Sequence, residues 1–403
     1  MRPLSRPDAD LIVLGGGCAG LSLAQRLAEA GPAAPRALVL EARGSYGDDR
    51  TWCFWRTRPH RHERIVSHAW PRVRVATADG RAAIAETPGA PYQMIRGAHF
   101  YAAAQDAIAA GPRVDLALGA AVGAVERRAD GLWRVETGEG ALTARAVVDT
   151  RPDRRPAPGG ARLWQSFHGR EIRVDAPVFE TSTVELMRFA RPRADRVAFT
   201  YVLPLAPDRA LVEATAFAAD PLPPPALFGD LERAIAEASG GRGGASLREE
   251  HGSLPMGLLG PPAPGPEGSG YVRAGLMAGG ARPSSGYAFR RIQAWADSCA
   301  AALLAGSAPV PAAPDGRLLA VMDRLFVDVL AAAPARGPDL FAALFHRTPP
   351  LRLVRFLSDE PSLLDAAAIA AALPPAPFLR ALLGREARPA SVLAARRLGG
   401  AAR

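Results

Sequence analysis

The sequence predicts an α/β protein, α+β overall, with a Rossmann-type dinucleotide-binding domain, an antiparallel β-sheet domain and a helical C-terminal region. Three observations predict this fold class. Residues 10–41 have the pattern of a strand, a glycine-rich turn, a helix and a second strand. Residues 163–217 change to the alternating pattern of paired strands, and residues 315–403 carry the apolar spacing of helices.

The glycine-rich turn comes first in the chain. The apolar run Asp10–Leu14 stops at Gly15, and a helical pattern follows. Gly15, Gly17 and Gly20 occupy the positions of a G-x-G-x-x-G motif. Such glycines allow a sharp turn and let a pyrophosphate approach the free N–H groups at a helix start. The motif alone is weak evidence, and a glycine-rich turn in an ordinary α/β unit is the alternative.

The second strand strengthens the prediction. The run Ala37–Leu40 is closed by Glu41, and an acid about 20 residues after the last glycine accepts hydrogen bonds from a ribose. We therefore predict dinucleotide binding by this unit. Its predicted cofactor-binding residues are Gly15, Gly17, Cys18, Ala19, Gly20, Glu41, Ala42 and Arg43.

Composition excludes several classes of protein. A chain of 403 residues that is 48% hydrophobic can form a large core and more than one domain. No apolar run reaches the ~18 residues that span a bilayer, and residues 1–9 do not have the pattern of a secretory signal. The three cysteines are widely separated, so we expect no disulfide framework, no metal site and a cytoplasmic location.

The net charge of +9 is carried by arginine, because the sequence contains no lysine. This composition is typical of genomic base bias, and no arginine-dense run with interleaved aromatic residues occurs, so we predict no nucleic-acid partner. A basic surface still favours contact with an anionic membrane face.

Several further positions follow the nucleotide unit. The segment Trp52–Trp55 carries three aromatic residues, which would either line a ligand or anchor a loop in the core. His60, His62 and His68 match no metal-ligand spacing and are predicted to lie on the surface. Arg96 precedes a helix and could contact a diphosphate, with a plain surface charge as the alternative.

The chain then returns to the cofactor twice in this interpretation. Asp149 ends an apolar strand that is expected to re-enter the first sheet. Later, glycines and serines precede a long helix, an arrangement that suits the phosphate or ribityl chain of a cofactor; a plain loop with a serine cap is the alternative. The predicted cofactor-binding residues here are Asp149, Gly279, Gly280, Pro283, Gly286 and Tyr287, together with Arg96.

Glu213 is the candidate catalytic residue. It lies on the second strand of a predicted hairpin, and alternation places Leu211, Glu213, Thr215 and Phe217 on one face. A lone carboxyl among apolar neighbours should have a raised pKa and so act as a general acid. The alternative is an acid paired with one of the many arginines.

With these residues in view, the chain resembles the flavin-dependent lycopene cyclase family over nearly its full length. The matching segments are Gly15–Gly20, Thr51-Trp52 with Phe54, Tyr201–Pro204, Leu211–Glu213 with Thr215, Gly252 with Leu254-Pro255, and Arg282–Phe289. The resemblance implies an FAD-binding domain of residues 1–60, 92–160 and 265–310. It also implies a substrate domain of residues 61–91 and 161–264, and a helical region of residues 311–403.

The resemblance further implies an enzyme of carotenoid biosynthesis that converts the ψ-end groups of lycopene to β-ionone rings. Glu213 matches the family's proposed essential acid, the active cofactor would be reduced FAD, and NAD(P)H would be the reductant. Because lycopene or a related carotenoid is insoluble in water, we expect peripheral association with the inner face of the cell membrane. Helices such as Leu351–Leu357 and Phe378–Leu383 would lie in the membrane interface or pack on the body of the protein.

Two departures from the family pattern leave alternatives open. Arg188 replaces an acid, and Arg170 replaces the tryptophan of a Gly-Trp-Glu block. One alternative function is a flavin-dependent oxidoreductase, a hydroxylase or reductase, that acts on an apolar isoprenoid-like substrate. The other is a non-catalytic flavin- and carotenoid-binding protein.

Overall fold

The structure, a computed structural model, describes residues 7–152, 160–259 and 268–384. The last part of the predicted helical region, residues 385–403, lies outside the described residues. The strands, in chain order, are β1 (Ala9–Leu14), β2 (Ala37–Glu41), β3 (Thr51–Trp55), β4 (Val66–Trp70), β5 (Arg72–Ala76), β6 (Ala82–Glu86), β7 (Tyr92–Arg96), β8 (Val114–Leu118), β9 (Val122–Arg127), β10 (Trp133–Thr137), β11 (Gly140–Asp149), β12 (Ala161–Arg173), β13 (Thr183–Phe189), β14 (Arg196–Ala206), β15 (Arg209–Ala218), β16 (Ala245–Leu258) and β17 (Tyr271–Arg273).

The α-helices are α1 (Cys18–Glu29), α2 (Gly97–Ala110), α3 (Phe228–Ala238), α4 (Phe289–Leu304), α5 (Arg317–Ala332), α6 (Gly337–Arg347), α7 (Pro350–Leu357), α8 (Leu363–Ala372) and α9 (Pro375–Leu382). Short 3₁₀ helices cover Gly31–Ala33, Glu63–Ile65, Pro224–Leu227, Leu276–Ala278 and Pro334–Arg336.

The first sheet has the strand order β8-β2-β1-β11-β10-β9, and β17 also pairs with β11. Strands β8, β2, β1, β11 and β17 run parallel to one another, whereas β10 is antiparallel to both of its neighbours, β11 and β9. Ile12 and Val13 have no accessible surface, as expected for a parallel strand covered on both faces. Helices α1, α2 and α4 contribute to the core of this part of the protein. The predicted order of strand, turn, helix and strand is therefore confirmed.

The second sheet has the order β16-β12-β15-β14-β13-β5-β6 and is largely antiparallel. Its central hairpin, β14–β15, confirms the predicted one, although β14 extends to Ala206 and the turn is reduced to Pro207 and Asp208. The two faces of β15 pack as alternation predicts. Leu211 and Phe217 join one core, while Val212 and Ala214 pack with α3 in another.

A third sheet of order β3-β7-β4 carries the aromatic segment 52–55. Phe54 and Trp55 are 5% and 2% exposed and belong to the two largest cores. Trp52 is half-buried against Phe100 and Phe289. The aromatic residues therefore anchor β3 in the core, which was one of the two interpretations; their contact with a ligand stays a prediction.

The predicted surface location of the three histidines is wrong for His62, which is 4% exposed. Its Nε2 lies 2.9 Å from Oε1 of Gln293 in α4, and its ring packs against Phe100 and Phe289. Burial lowers the pKa of His62 to about 4, so the ring is neutral at pH 7. His60 and His68 are half-buried. Sequence spacing excluded a metal box but could not show this packing against α4.

The C-terminal helices cover the second sheet. Phe326 and Val327 of α5 share a core with Phe199 and Phe217 of the sheet. Leu353, Val354 and Phe356 of α7 are buried in the same core, so segment 351–357 packs on the body of the protein.

Within the described ranges, no single helix is long and apolar enough to cross a bilayer. The pair Leu363–Ala372 and Pro375–Leu382 meets the length and composition requirements only together, and it is bent by 108°.

Candidate active site

The glycine-rich turn between β1 and α1 is built by close backbone packing. Gly15 has a φ of +92°, in the region that favours glycine. A Cβ on Gly20 would lie 1.9 Å from the carbonyl oxygen of Gly15, so helix and turn approach as only glycine allows. Gly17 begins α1 without a side-chain cap, and a Cβ there would meet nothing within 4 Å. The first N–H groups of α1, which include those of Cys18 and Ala19, are thus available to an anion.

Glu41 closes the turn from the end of β2. Its Oε2 accepts a 2.7 Å hydrogen bond from the Gly16 N–H, and its Oε1 accepts hydrogen bonds from the backbone and side chain of Arg43. Burial opposes the charge, but the hydrogen bonds from Arg43 and Gly16 hold the pKa of Glu41 below its usual value. The acid is therefore ionised and fixed beside the turn. Ala42, which lies between Glu41 and Arg43, is exposed.

The late glycine segment folds against the same turn. A Cβ on Gly275, whose φ is +84°, would lie 3.2 Å from Cβ of Ala19 in α1. A Cβ on Gly280 would lie 2.6 Å from the Gly275 carbonyl oxygen, and Gly279 is left-handed with φ of +86°. The structure therefore brings the late segment and the early turn together, as the interpretation of both as cofactor-binding requires.

The end of the late segment lies against the second sheet. A Cβ on Gly286, whose φ is +72°, would lie 2.4 Å from Oε1 of Gln165 in β12. Oε1 of Gln165 is buried and has no hydrogen-bond partner. The segment closes on itself through the Tyr287 carbonyl, which accepts a 2.9 Å hydrogen bond from the Arg282 N–H, one residue before Pro283. This one loop therefore spans from the nucleotide turn to the second sheet.

Two predicted cofactor residues are engaged by the protein itself. Asp149 accepts hydrogen bonds from Arg151 and from the Tyr271 hydroxyl. Arg96 donates to Asp48 and forms a 3.0 Å ion pair with Glu171. Contact of either side chain with a cofactor stays a prediction.

These features fit a dinucleotide such as FAD. An uncapped helix start, glycines packed so closely that a Cβ would clash, and an ionised acid at the end of β2 form the usual cradle. The orphaned Gln165 Oε1 beside Gly286 adds a polar atom available to a bound group.

Glu213 lies on β15 and is half-buried. The hydrogen bond that the structure gives it comes from the Thr215 hydroxyl, at 2.7 Å. Burial, reinforced by the nearby charge of Glu250, raises its pKa to about 8. Among the described residues no arginine forms an ion pair with it, so the alternative of an arginine-paired acid does not hold.

Glu250 is the neighbour that sequence reasoning missed. On one face of the second sheet, Glu250 (β16), Gly169 (β12), Glu213 (β15) and Tyr201 (β14) lie directly opposite one another on four neighbouring strands. We call these four residues the carboxyl row. Glu250 follows Glu249 in a polar stretch, and the only available signal was its alternation with Gly252 and Leu254 on β16. Its nearness to Glu213 depends on strand order, which the sequence does not show.

Apolar and aromatic groups surround the row. Tyr92 and Tyr287 have hydroxyl oxygens 3.5 Å apart, and the Trp55 ring lies 4.7 Å from Tyr92 and 5.6 Å from Tyr287. Burial and the charges of Glu250 and Glu213 raise the pKa of Cys53. Burial, then the nearby Tyr287 and Glu213, raise the pKa of Tyr201. Tyr287 of the cofactor-type loop thus belongs to the same cluster as Glu213.

The two departures from the family pattern lie away from Glu213. Arg170 follows Gly169 and so points to the opposite face, where it pairs with Glu249 and Glu232. Arg188 pairs with Glu185. Neither arginine changes the carboxyl row.

The sequence matches one protein family over most of its length. The family model described as lycopene cyclase protein matches residues 10–383. A lycopene beta-cyclase of Pseudescherichia vulneris is 30% identical over 307 residues, which are 75% of this chain and 76% of that protein. A lycopene beta-cyclase of Pantoea ananas is 27% identical over 391 residues, 94% of this chain and 98% of that protein.

Solved structures show the same fold at low identity. A geranylgeranyl bacteriochlorophyll reductase-like protein of Thermoplasma acidophilum has a TM-score of 0.61 at 14% identity, over 94% of this chain and 99% of that one. A point mutant of the halogenase PltM in complex with FAD has a TM-score of 0.58 at 13% identity, over 90% and 85%. The chain therefore shares the fold of these structures, and the sequence match over residues 10–383 shows that it belongs to the lycopene cyclase family.

Proposed function

We propose that this enzyme converts the ψ-end groups of lycopene to β-ionone rings, in a redox-neutral cyclisation that depends on reduced FAD. The observation that carries the proposal is Glu213, a half-buried carboxyl with a raised pKa and no ion pair to an arginine among the described residues. It belongs to the same cluster as Tyr287 of the late loop. The family and the two beta-cyclase relatives support the substrate class.

FAD would be held by the two glycine-rich segments. Gly15, Gly17 and Gly20, with the N–H groups of Cys18 and Ala19, would receive the pyrophosphate, and Glu41 the ribose. Gly279, Gly280 and Gly286 would receive the other half of the cofactor. When bound in its reduced form, FAD supplies negative charge that stabilises a cation in a dry pocket. NAD(P)H is the reductant that we propose, with Ala42, Arg43, Arg96, Asp149 and Pro283 as further cofactor contacts.

The chemistry begins with one proton from Glu213. At pH 7 this carboxyl holds its proton because its pKa lies near 8. Transfer of the proton to the terminal double bond leaves a carbocation, the neighbouring alkene attacks it to close the ring, and a ring proton then leaves. One proton is added and one is lost, so the product is an isomer of the substrate and no net electrons are required.

The surrounding side chains protect the cation. Trp55, Tyr92, Tyr201 and Tyr287 present aromatic rings and no basic group. Aromatic faces attract a cation within about 6 Å, and the phenols stay neutral because burial raises the pKa of each tyrosine. A neutral, largely dry wall of this kind disfavours capture of the cation by water.

We also propose the domain division that the resemblance implies. Residues 1–60, 92–160 and 265–310 would bind FAD, residues 61–91 and 161–264 would bind the carotenoid, and residues 311–403 would complete the substrate side. The packing of α5 and α6 on the second sheet supports this assignment, because their aromatic residues enter the core of that sheet.

A water-insoluble substrate must be taken from a bilayer, so we propose peripheral association with the inner face of the cell membrane. Leu363 and Leu364 of α8 are 79% and 68% exposed. Leu379, Leu382 and Leu383, at α9, are 56%, 56% and 63% exposed. Large leucine side chains with this exposure on adjacent helices are typical of a surface that inserts into a lipid interface.

The test is an anaerobic assay of the purified protein with FAD, a reductant and lycopene, read by absorption and mass, alongside Glu213→Gln. A product of unchanged mass with β-rings supports cyclisation, whereas a product of different mass would indicate an oxidoreductase. Binding without conversion would indicate a non-catalytic carotenoid protein. Glu213→Gln should reduce turnover by about 10²–10⁴ while FAD still binds; a normal rate would show that Glu213 is not the acid.

A further inference from the structure

Glu213 on β15 and Glu250 on β16 lie on the same face of the second sheet. Strand β12 runs between them, and its Gly169 is directly opposite both residues. A Cβ on Gly169 would meet Cγ of Glu250 at 3.3 Å and Cβ of Glu213 at 3.4 Å. The glycine therefore leaves its place in the row empty, and both carboxyl side chains border that space. Like charges on two such neighbouring side chains repel each other, so ionisation of one disfavours ionisation of the other.

Glu250 has the partners of an anion. Nη1 of Arg248 lies 2.6 Å from its Oε2, and the Thr51 hydroxyl donates to the same oxygen at 2.8 Å. Both charged side chains are nearly inaccessible, 9% for Arg248 and 3% for Glu250. Nη2 of Arg248 also donates to Thr51 Oγ1 at 2.8 Å, so the three groups close a ring of hydrogen bonds. The carboxylate of Glu250 is thus fixed in place.

Arg248 is engaged by groups other than Glu213. Its Nε lies 3.3 Å from Oε2 of Glu171, and its Nη1 donates to the Asp48 carbonyl oxygen at 3.2 Å. Glu213, by contrast, receives the hydroxyl of Thr215 alone among the described groups. Burial raises the pKa of both glutamates, but Arg248 and Thr51 oppose the rise at Glu250, whereas the nearby charge of Glu250 adds to it at Glu213. This asymmetry assigns the negative charge to Glu250 and the proton to Glu213.

We propose that Glu250 is a positioning residue, whose carboxylate, fixed by Arg248 and Thr51 beyond Gly169, keeps Glu213 in the carboxylic acid form that donates the proton. The inference rests on the proposed function and adds a residue to it. Other charged or titratable groups interact with the pair or with Arg248: Arg50 and Asp48 from the segment before β3, Cys53 from β3, Glu171 from β12 and Tyr201 from β14. Within the carboxyl row, Glu250 is the acid that accompanies Glu213.

The test compares Glu250→Gln with Glu249→Gln, the same substitution one residue away. Glu249 is on the opposite face, pairs with Arg170 and is about half-exposed, with 49% of its side chain accessible. Cyclisation rate is measured against pH for both variants and the unaltered enzyme. For Glu250→Gln we expect the pH at which the cyclisation rate falls to be lower by about 1 unit or more. The rate at pH 6 should change less. Glu249→Gln should leave the profile unchanged. An unmoved profile in Glu250→Gln would overturn the proposal.

A second measurement needs no turnover. The carbonyl stretch of a protonated carboxyl is followed by infrared difference spectroscopy during a pH titration of the FAD-loaded protein. The band should vanish in Glu213→Gln and titrate at lower pH in Glu250→Gln. If Glu250→Gln does not fold, Glu250→Asp, which keeps the charge for Arg248, replaces it and should shift the band less in the same direction. A band that survives Glu213→Gln but is lost in the Glu250 variant would overturn the assignment. If the band shifts as expected but no cyclised product forms, the proposed function is refuted and the positioning role of Glu250 is not.

Discussion

Arg282 and Asp323 form an ion pair in which the side chains are 0% and 1% accessible. Arg282 lies in the late glycine segment, and Asp323 lies on α5 of the C-terminal region. Ser284 of the loop also donates to Asp323, at 2.8 Å, and the Arg282 guanidinium lies 4.2 Å from the ring centre of Phe356 in α7. The loop proposed to hold the flavin is therefore tied to the helices that cover the second sheet.

The first prediction concerns this pair. Asp323→Asn leaves the guanidinium buried without its main counter-charge, which should lower the free energy of unfolding by about 3–5 kcal/mol. Because the unpaired Arg282 lies in the late glycine segment, which is proposed to hold FAD, the affinity for FAD should fall as well. Asp328→Asn on the same helix removes a partner of the more accessible Arg162 and should cost less than about 1 kcal/mol. Thermal unfolding and fluorescence titration with FAD measure both effects; equal losses in the two variants would contradict the argument.

The second prediction separates two roles of glycine in the early turn. Gly20→Ala places a methyl group 1.9 Å from the Gly15 carbonyl oxygen, so the apo-protein should lose about 1–3 kcal/mol of stability. Gly17→Ala meets nothing within 4 Å and should leave the apo-protein intact. It should nevertheless weaken FAD binding by about tenfold or more, the equivalent of one charge-assisted hydrogen bond.

The control for these two variants is Gly44→Ala, because a Cβ at exposed Gly44 also meets nothing within 4 Å. It should change neither property. Apo-protein unfolding and FAD titration are measured side by side. If Gly17→Ala binds FAD as tightly as Gly44→Ala does, the helix start is not the phosphate site.

The third prediction uses the pH dependence of stability. The pKa of Glu213 is raised in the folded protein from 4.5 to about 8. A raised acid pKa leaves stability at its full value below the unfolded pKa and removes it progressively as pH rises from about 4.5 through about 8. Glu213→Gln mimics the protonated acid, so it should match the unaltered protein near pH 5 and have the higher unfolding temperature at pH 8.5. Glu249→Gln should show no such gain, because its hydrogen bond and ion pair with Arg170 lower the pKa of Glu249. A difference for Glu213→Gln that does not grow with pH would contradict the raised pKa.

The sequence was sufficient for what depends on local pattern. The strand that ends at Leu14, the turn at Gly15–Gly20 and the hairpin that carries Glu213 could all be predicted from glycine spacing and from alternation. What it left open was the partner of Glu213, because any of the arginines could have paired with it. In the structure Arg248 instead pairs with Glu250, which lies two strands from Glu213 in the sheet.

The rest could not be predicted because it depends on register and strand order. A shift of one residue in the pairing of β12 would turn Gly169 away from Glu213 and bring Arg170 into the row. Neither the nearness of Glu250 to Glu213 nor the burial of His62 against α4 leaves a signal in the sequence. Long-range pairings of this kind arise from tertiary packing, which a single sequence does not display.

The fourth prediction tests the proposed membrane surface. Replacement of Leu363, Leu364, Leu379 and Leu383 by serine removes exposed apolar area without touching the core, so the fold should survive while flotation with vesicles of neutral and anionic phospholipids falls severalfold. Deletion of the whole helical C-terminal region would be less informative, because Phe326 and Leu340 belong to the core of the second sheet and the fold itself would be disturbed. Leu318→Ser, at a residue of α5 that is 49% exposed, serves as the control and should not alter flotation. Unchanged flotation of the fourfold variant would remove α8 and α9 from the membrane surface. Because lycopene delivered in detergent bypasses the bilayer, the variant should also keep normal turnover in detergent and lose it only with vesicle-bound substrate.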